Sequence, residues 1–245
     1  TLAFKDFALQ FLGHAFEHVL AKTGKHVTIV VATSGDTGSA AIDAFKNRTG
    51  VNIAVLHPKG RISEVQRRQM TTVQSDNVMN IAVEGSFDDC QAMVKSMFAD
   101  ATFRDAVQLS AVNSINWARI AAQVVYYAYA SLRVTGGATF CVPTGNFGNV
   151  YAGYIARMLG FPLRHLIVAT NSNDILHRFF STGEMKKDTV VPSLSPSMDI
   201  QVSSNFARLL FDSLRHDSAA TAKSFSAFAK DGKFSVPADI LQSMR

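Results

Sequence analysis

Short runs of consecutive apolar, β-branched residues recur along the chain, each followed by a stretch with helical spacing. No other feature limits the possible folds as much. "HVTIVVAT" (26–33) precedes the helical pattern "GSAAIDAFKNRTG" (38–50), and "VNIAVLHP" (51–58) precedes "SEVQRRQMTTVQS" (63–75). "VMNIAVEG" (78–85) precedes "SFDDCQAMVKSMFAD" (86–100). A helix is predicted over "WARIAAQVVYYAYASLR" (117–133), then "ATFCVPTG" (138–145) as a strand, "NVYAGYIARMLG" (149–160) as a helix and "RHLIVATN" (164–171) as a strand. Strands that are apolar on both faces and alternate with helices imply parallel sheets covered by helices, an α/β fold. "RVTGG" (133–137) is the best internal boundary and gives two Rossmann-like domains, 1–134 and 135–245. "MKKDTVVPSLSPSMD" (185–199) reads as a loop, and "ILQSMR" (240–245) as an amphipathic helix that stops abruptly.

The 245 residues suffice for one large or two modest domains, and 47% hydrophobic against 18% charged residues excludes a disordered chain. No apolar run approaches a membrane span. The net charge of +5 is scattered, which argues against a nucleic-acid surface. Two cysteines, Cys90 and Cys141, without metal-type spacing suit a reducing, cytoplasmic setting and no metal.

The opening segment, "TLAFKDFALQFLGHAF" (1–16), places one lysine among apolar residues. On a helix, Phe4, Phe7, Ala8, Phe11, Leu12, Ala15 and Val19 share a broad apolar arc, with Asp6, Gln10, Gly13, His14 and Glu17 opposite. Lys5 falls inside the arc, between Leu12 and Phe16. A buried lysine has a lowered pKa and suits a Schiff-base nucleophile. The plainer reading is a helix start where Lys5 reaches out past its neighbours.

Two glycine-bearing turns join a strand to a helix: "ATSGDTGSAA" (32–41) and "VPTGNFGNVYAG" (142–153). Helix N-termini at the carboxyl ends of parallel strands offer free amides to an anion. The second turn is neither GxGxxG nor a Walker loop, and its GxxG core, with Asn146 and Asn149 as added donors, fits one phosphate. In the first, Thr33, Ser34 and Thr37 supply hydroxyls, and Gly35 and Gly38 supply amides, for a substrate carboxylate. "SAVNSINWAR" (110–119) sets Arg119 after Asn113 and Ser114, a donor set for a second phosphate. Each turn alone is equally an ordinary glycine-rich connection. A buried lysine, a single-phosphate cradle and a second polar loop together match what pyridoxal phosphate needs.

With "TLAFKDFALQ" (1–10), "ATSGDTGSAA", "NSINWAR" (113–119), "PTGNFGN" (143–149), "NSNDIL" (171–176) and "PSMDIQVSSNFARLL" (196–210), the chain resembles the threonine synthases, a family of fold-type II pyridoxal-phosphate enzymes with the tryptophan synthase β-like fold. The resemblance implies that Lys5 is the Schiff-base lysine and that Gly145, Asn146, Phe147, Gly148 and Asn149 bind the cofactor phosphate. It implies that Thr33, Ser34 and Thr37 bind the substrate carboxylate, and Asn113, Ser114 and Arg119 the substrate phosphate. Asp36 would lie near the cofactor's phenolic oxygen, where many fold-type II relatives have asparagine. The implied reaction turns O-phospho-L-homoserine and water into L-threonine and phosphate, the last step of threonine biosynthesis. The partner is a phosphorylated amino acid, not nucleic acid or membrane. Family segments before the lysine helix and after residue 245 are missing, so the chain reads as truncated at both ends. Other readings are a phospholyase or a serine/threonine dehydratase, a zinc site on "HAFEH" (14–18), and an inert fragment or basic binding domain.

Overall fold

A computed structural model of the chain describes residues 1–245, the side chain of Asp88 excepted. It divides into two compact units, Thr1–Ala122 and Gln123–Arg245. This division falls inside a helix, ahead of the "RVTGG" turn expected from the sequence.

The first unit runs α1 (Lys5–Thr23), β1 (Val27–Ala32), α2 (Asp36–Phe45), β2 (Val51–Pro58), α3 (Glu64–Thr71), β3 (Val78–Val83), α4 (Phe87–Ala99), α5 (Ala101–Ala106), β4 (Leu109–Ser110) and the start of α6 (Trp117–Ser131). Its four strands form one parallel sheet in the order β3-β2-β1-β4. Successive side chains of a strand point to opposite faces. Ile29, Val31, Ile53 and Val55 therefore pack with Leu9, Leu12, Ile42 and Phe45 from α1 and α2. Val30 and Leu56 pack on the other face with Cys90, Val94 and Met97 of α4. Both faces are covered, which is why these strands read as unbroken apolar runs. Ser86 caps α4 in a capping box with Asp89, and Ser63 caps α3.

Helix α1 is rotated relative to its predicted arc. Ala8, Leu9, Leu12, Gly13 and Leu20 are its buried residues, whereas Phe7 and Phe11 are 45% and 53% exposed and Phe4 and Val19 are also exposed. The cause is Gly13, which the arc had placed on the polar side. A Cβ there would lie 2.5 Å from the Ala44 carbonyl oxygen, so only glycine lets α1 approach α2 this closely. That contact turns the stripe through Lys5, Leu9, Leu12 and Phe16 inward, with Phe16 edge-on to Phe45.

The second unit holds the rest of α6, then β5 (Ala138–Pro143), α7 (Gly148–Met158), β6 (Leu163–Ala169), α8 (Ile175–Thr182), β7 (Glu184–Lys186), a 3-10 turn (Pro196–Met198), α9 (Phe206–Ser213), α10 (Ser218–Asp231), β8 (Lys233–Ser235) and α11 (Ala238–Met244). β5 and β6 pair in parallel; β7 and β8, far apart in sequence, pair antiparallel, so the loop expected over 185–199 begins with two strand residues, Met185 and Lys186. Phe147, Phe179, Phe180, Phe206 and Phe234 form its aromatic centre. Among the described residues no helix is long and apolar enough to cross a membrane.

Candidate functional site

In the first unit the strand order reverses between β1 and β4, and at such a switch the loops leaving the strand ends diverge and open a crevice. The loop after β1 is the "SGDTG" turn. The loop after β4 leads to Arg119 on α6.

Lys5 is the first residue of α1, and its side chain is 14% exposed. Its Nζ donates to Asp36 Oδ2 at 3.1 Å. Burial pushes the ammonium below the ordinary lysine range, Asp36 opposes this by charge and hydrogen bond, and the nearby charge of Arg119 adds to the lowering. The positive end of the α1 dipole acts in the same direction. The result is an amine drawn toward its neutral, nucleophilic form and aimed by a carboxylate.

Asp36 begins α2, where a carboxylate is favoured by the helix dipole. Its second oxygen, Oδ1, accepts from Gln66 Nε2. It therefore faces Lys5 directly, whereas the resemblance had implied only a position near a cofactor oxygen. Thr33 is buried, and its Oγ1 accepts from the amides of Gly35 and Gly38, each at 2.9 Å. The expectation that both glycine amides face a ligand is thus corrected: they hold the turn together through the Thr33 oxygen. Ser34 and Thr37 remain half-buried, with hydroxyls that have no protein partner among the described residues.

Arg119 is 2% exposed, and its Nη1 donates to the Val112 carbonyl at 2.9 Å. Residues 112–116 fold back over it, with Asn116 N donating to the Asn113 carbonyl at 3.1 Å. Ser114 is half-buried and Asn113 exposed within that turn. The first unit therefore brings together Lys5, Asp36, Ser34, Thr37 and Arg119 around the switch point.

The second unit carries the other cluster. Phe147, at the N-terminus of α7, has φ +65° in the left-handed region, and its buried ring packs on Phe206 and Phe180. Its ring is thus a core element, and only its amide is available to a ligand. Carbonyls of the turn are tied back: Ser203 Oγ donates to Gly145 O at 2.7 Å, and Asn205 N and Nδ2 donate to Asn146 O, each at 3.0 Å. Tying down the acceptors turns the amides of residues 145–148 the other way, and none of these amides donates to another described residue. The side-chain oxygens of Asn146 and Asn149 accept from Ser204 Oγ and Tyr127 OH, which leaves each Nδ2 as the donor end. A run of amides and two carboxamide NH₂ groups at a helix N-terminus fits a phosphate. Sequence reasoning missed Tyr127, Ser203 and Gln66, because nothing local marks a polar residue that acts across the fold.

"HAFEH" is accounted for otherwise: His14 Nδ1 and Glu17 Oε2 both meet Arg48 Nη1, at 2.9 and 2.6 Å. No group of His, Cys, Asp and Glu among the described residues is placed to hold a metal ion.

A family profile described as pyridoxal-phosphate dependent enzyme matches residues 1–229. The chain is 59% identical over 239 residues to the threonine synthase of Pseudomonas aeruginosa, covering 96% of this chain and 51% of that protein. A crystal structure of pyridoxal-phosphate-bound threonine synthase from Brucella melitensis superposes with a TM-score of 0.95 at 50% identity, covering 100% of this chain and 53% of that one. Yeast threonine synthase superposes with a TM-score of 0.91 at 44% identity, covering 99% and 52%. The chain spans about half the length of the curated relatives it matches.

Proposed function

Because the chain belongs to the family of pyridoxal-phosphate dependent enzymes, we propose that the protein acts as a threonine synthase, converting O-phospho-L-homoserine and water to L-threonine and phosphate. The observation that carries the reading is Lys5, buried, paired with Asp36 at the head of the "SGDTG" helix and within electrostatic reach of Arg119. Likeness to threonine synthases over nearly the whole chain supports it.

Pyridoxal phosphate, when bound, supplies an electron sink for charge that develops beside the amino-acid Cα. In this reading Lys5 of the first unit would be the residue that binds it covalently, and the amides of Gly145 to Asn149 of the second unit would suit its phosphate group. The Lys5 amine would move a proton from Cα and then from Cβ of the substrate, a role worth ~10²–10⁴-fold by general acid–base precedent. Ser34 and Thr37 orient the substrate carboxylate. Arg119, with Asn113 and Ser114, holds the substrate phosphate and stabilises it as it leaves. The setting is cytoplasmic and the partner a small phosphorylated amino acid, with no nucleic acid and no membrane.

The test is product analysis with O-phospho-L-homoserine. Threonine plus phosphate supports the reading, whereas 2-oxobutyrate with phosphate and ammonia identifies a phospholyase. In parallel, borohydride should leave the reduced cofactor on the peptide containing residues 1–10, and Lys5→Ala should lose it. An adduct on Lys22, Lys25 or Lys59 instead would sink the assignment.

A further inference from the structure

A lysine that is buried and must keep one direction needs a carboxylate held at a fixed angle. A carboxylate at the start of a helix has two or three rotamers open to it unless something fixes its far oxygen. In this protein a chain of hydrogen bonds does so. Ser63, the N-cap of α3, accepts from Gln66 N at 3.3 Å and lies 3.0 Å from Gln66 Oε1. A hydroxyl can donate to that oxygen, so the other end of the carboxamide is the NH₂ group. That group donates to Asp36 Oδ1, leaving Oδ2 for Lys5 Nζ. Every donor and acceptor in the chain Ser63–Gln66–Asp36–Lys5 is matched in direction.

The backbone is cut to admit it. Gly35 has φ +137°, and a Cβ there would lie 2.0 Å from Gln66 Oε1 and 2.6 Å from Gln66 Cδ. The carboxamide of Gln66 thus occupies the space that a side chain at position 35 would fill. The glycine of the "SGDTG" turn serves a neighbouring helix as well as the turn itself.

We propose that Gln66 is a positioning residue for the reactive lysine: it seats on Gly35 and fixes the Asp36 carboxylate so that Oδ2 faces Lys5 Nζ. The proposal rests on the reading of Lys5 as the cofactor lysine. The charged groups that bear on Lys5 of α1 are Asp36 from α2 and Arg119 from α6, while α3 contributes the neutral Gln66 to Asp36. Gln66 acts through Asp36 and touches no reacting atom, so its removal should alter how Lys5 titrates before it alters the fold.

The experiment follows Lys5 directly, in the protein without cofactor, so it does not depend on turnover. Trace acetylation across a pH series, quantified by mass spectrometry against the exposed Lys25, gives the titration of Lys5. Gln66→Leu keeps the side-chain volume and removes the donor. Asp36 then loses the donor that orients its Oδ1, burial outweighs the weakened pairing, and Lys5 titrates at lower pH. At a fixed pH below the wild-type midpoint its labelling should rise about three- to tenfold. In Gln66→Glu the two carboxylates either share a proton, which restores the bridge, or add a second anion. In both cases Lys5 titrates at or above the wild-type pH. An unmoved or raised Lys5 midpoint in Gln66→Leu overturns the proposal, as does a lowered one in Gln66→Glu. A merely structural Gln66 would shift the melting temperature and leave the Lys5:Lys25 labelling ratio unchanged. Borohydride trapping away from residues 1–10 in the wild type would overturn the cofactor reading while the labelling ratio still reports on Gln66.

Discussion

Lys5 and Arg119 are two cations within electrostatic reach of each other in a mostly dry setting, and Asp36 on Lys5 balances only one of the two charges, which costs free energy unless a further anion joins them. In the proposed reading, a phosphate dianion on the substrate would turn that cost into attraction. Arg119→Met keeps most of the buried volume and removes the charge. Turnover of the phosphorylated substrate should then fall by ~2–5 kcal/mol of transition-state stabilisation, by analogy with truncated charge pairs, while cofactor retention persists. Lys5 should titrate at higher pH in this variant, because a neighbouring positive charge that disfavoured the ammonium is gone. Steady-state kinetics on phosphorylated and unphosphorylated substrates decide the matter, since equal losses on both would make Arg119 a structural residue. At this scale the sequence was readable where a residue type conflicts with its surroundings, as Lys5 does among leucines and phenylalanines. It was silent on Gln66, which looks like any polar residue on a solvent-facing helix until the fold lays it on Gly35. It misled on the amides of Gly35 and Gly38, which are spent on Thr33 Oγ1 because a buried loop amide left without an acceptor is costly.

Helices α1 and α2 meet backbone to backbone at Gly13, and this contact sets how far Lys5 lies from Asp36. Gly13→Ala tests it, with two effects in competition. Alanine is favoured over glycine inside a helix by about 1 kcal/mol. A Cβ 2.5 Å from the Ala44 oxygen has no flexible side chain to push aside, and overpacking of that kind costs roughly 1–3 kcal/mol. The clash should win, so thermal melting should show a net loss of stability, and the lysine–aspartate pair should loosen with it. A stabilised variant would mean that α1 slides on α2 with ease. Elements with long signals were legible: β1, β2, β3, β5 and β6 are each six to eight residues of apolar sequence. β4 has two residues, and β7 and β8 three each, too few for any period to appear, and their pairing exists only once distant segments meet. The rotation of α1 was illegible for a related reason. Its apolar arc is wider than its contact, and the choice within the arc is made by the smallest residue, which a hydrophobic pattern does not weigh.

The two units differ in how well their sheets are protected. In the first, β1 is flanked by β2 and β4, and Ile29, Ile53 and Val55 are 1% exposed or less. In the second, β5 and β6 have only each other, and Ile167 on β6 is 50% exposed. Local opening follows burial and shared hydrogen bonds. Amide exchange at Ile29 to Val31 should therefore be at least about tenfold slower than at Leu166 to Val168, measured by native-state hydrogen exchange. Equal protection would mean that the second unit is held by more than its own strands. One contact within that unit also orders events in time. The carbonyls of Gly145 and Asn146 are pinned by Ser203 and Asn205, 58 and 59 residues further along. A ribosome adding about 5–20 residues per second needs roughly 3–12 seconds to cover that distance. Throughout that interval the nascent chain holds the strand, the glycines and the helix start but has nothing to turn the amides outward. The proposed phosphate seat would take shape only once residues 203–205 have emerged.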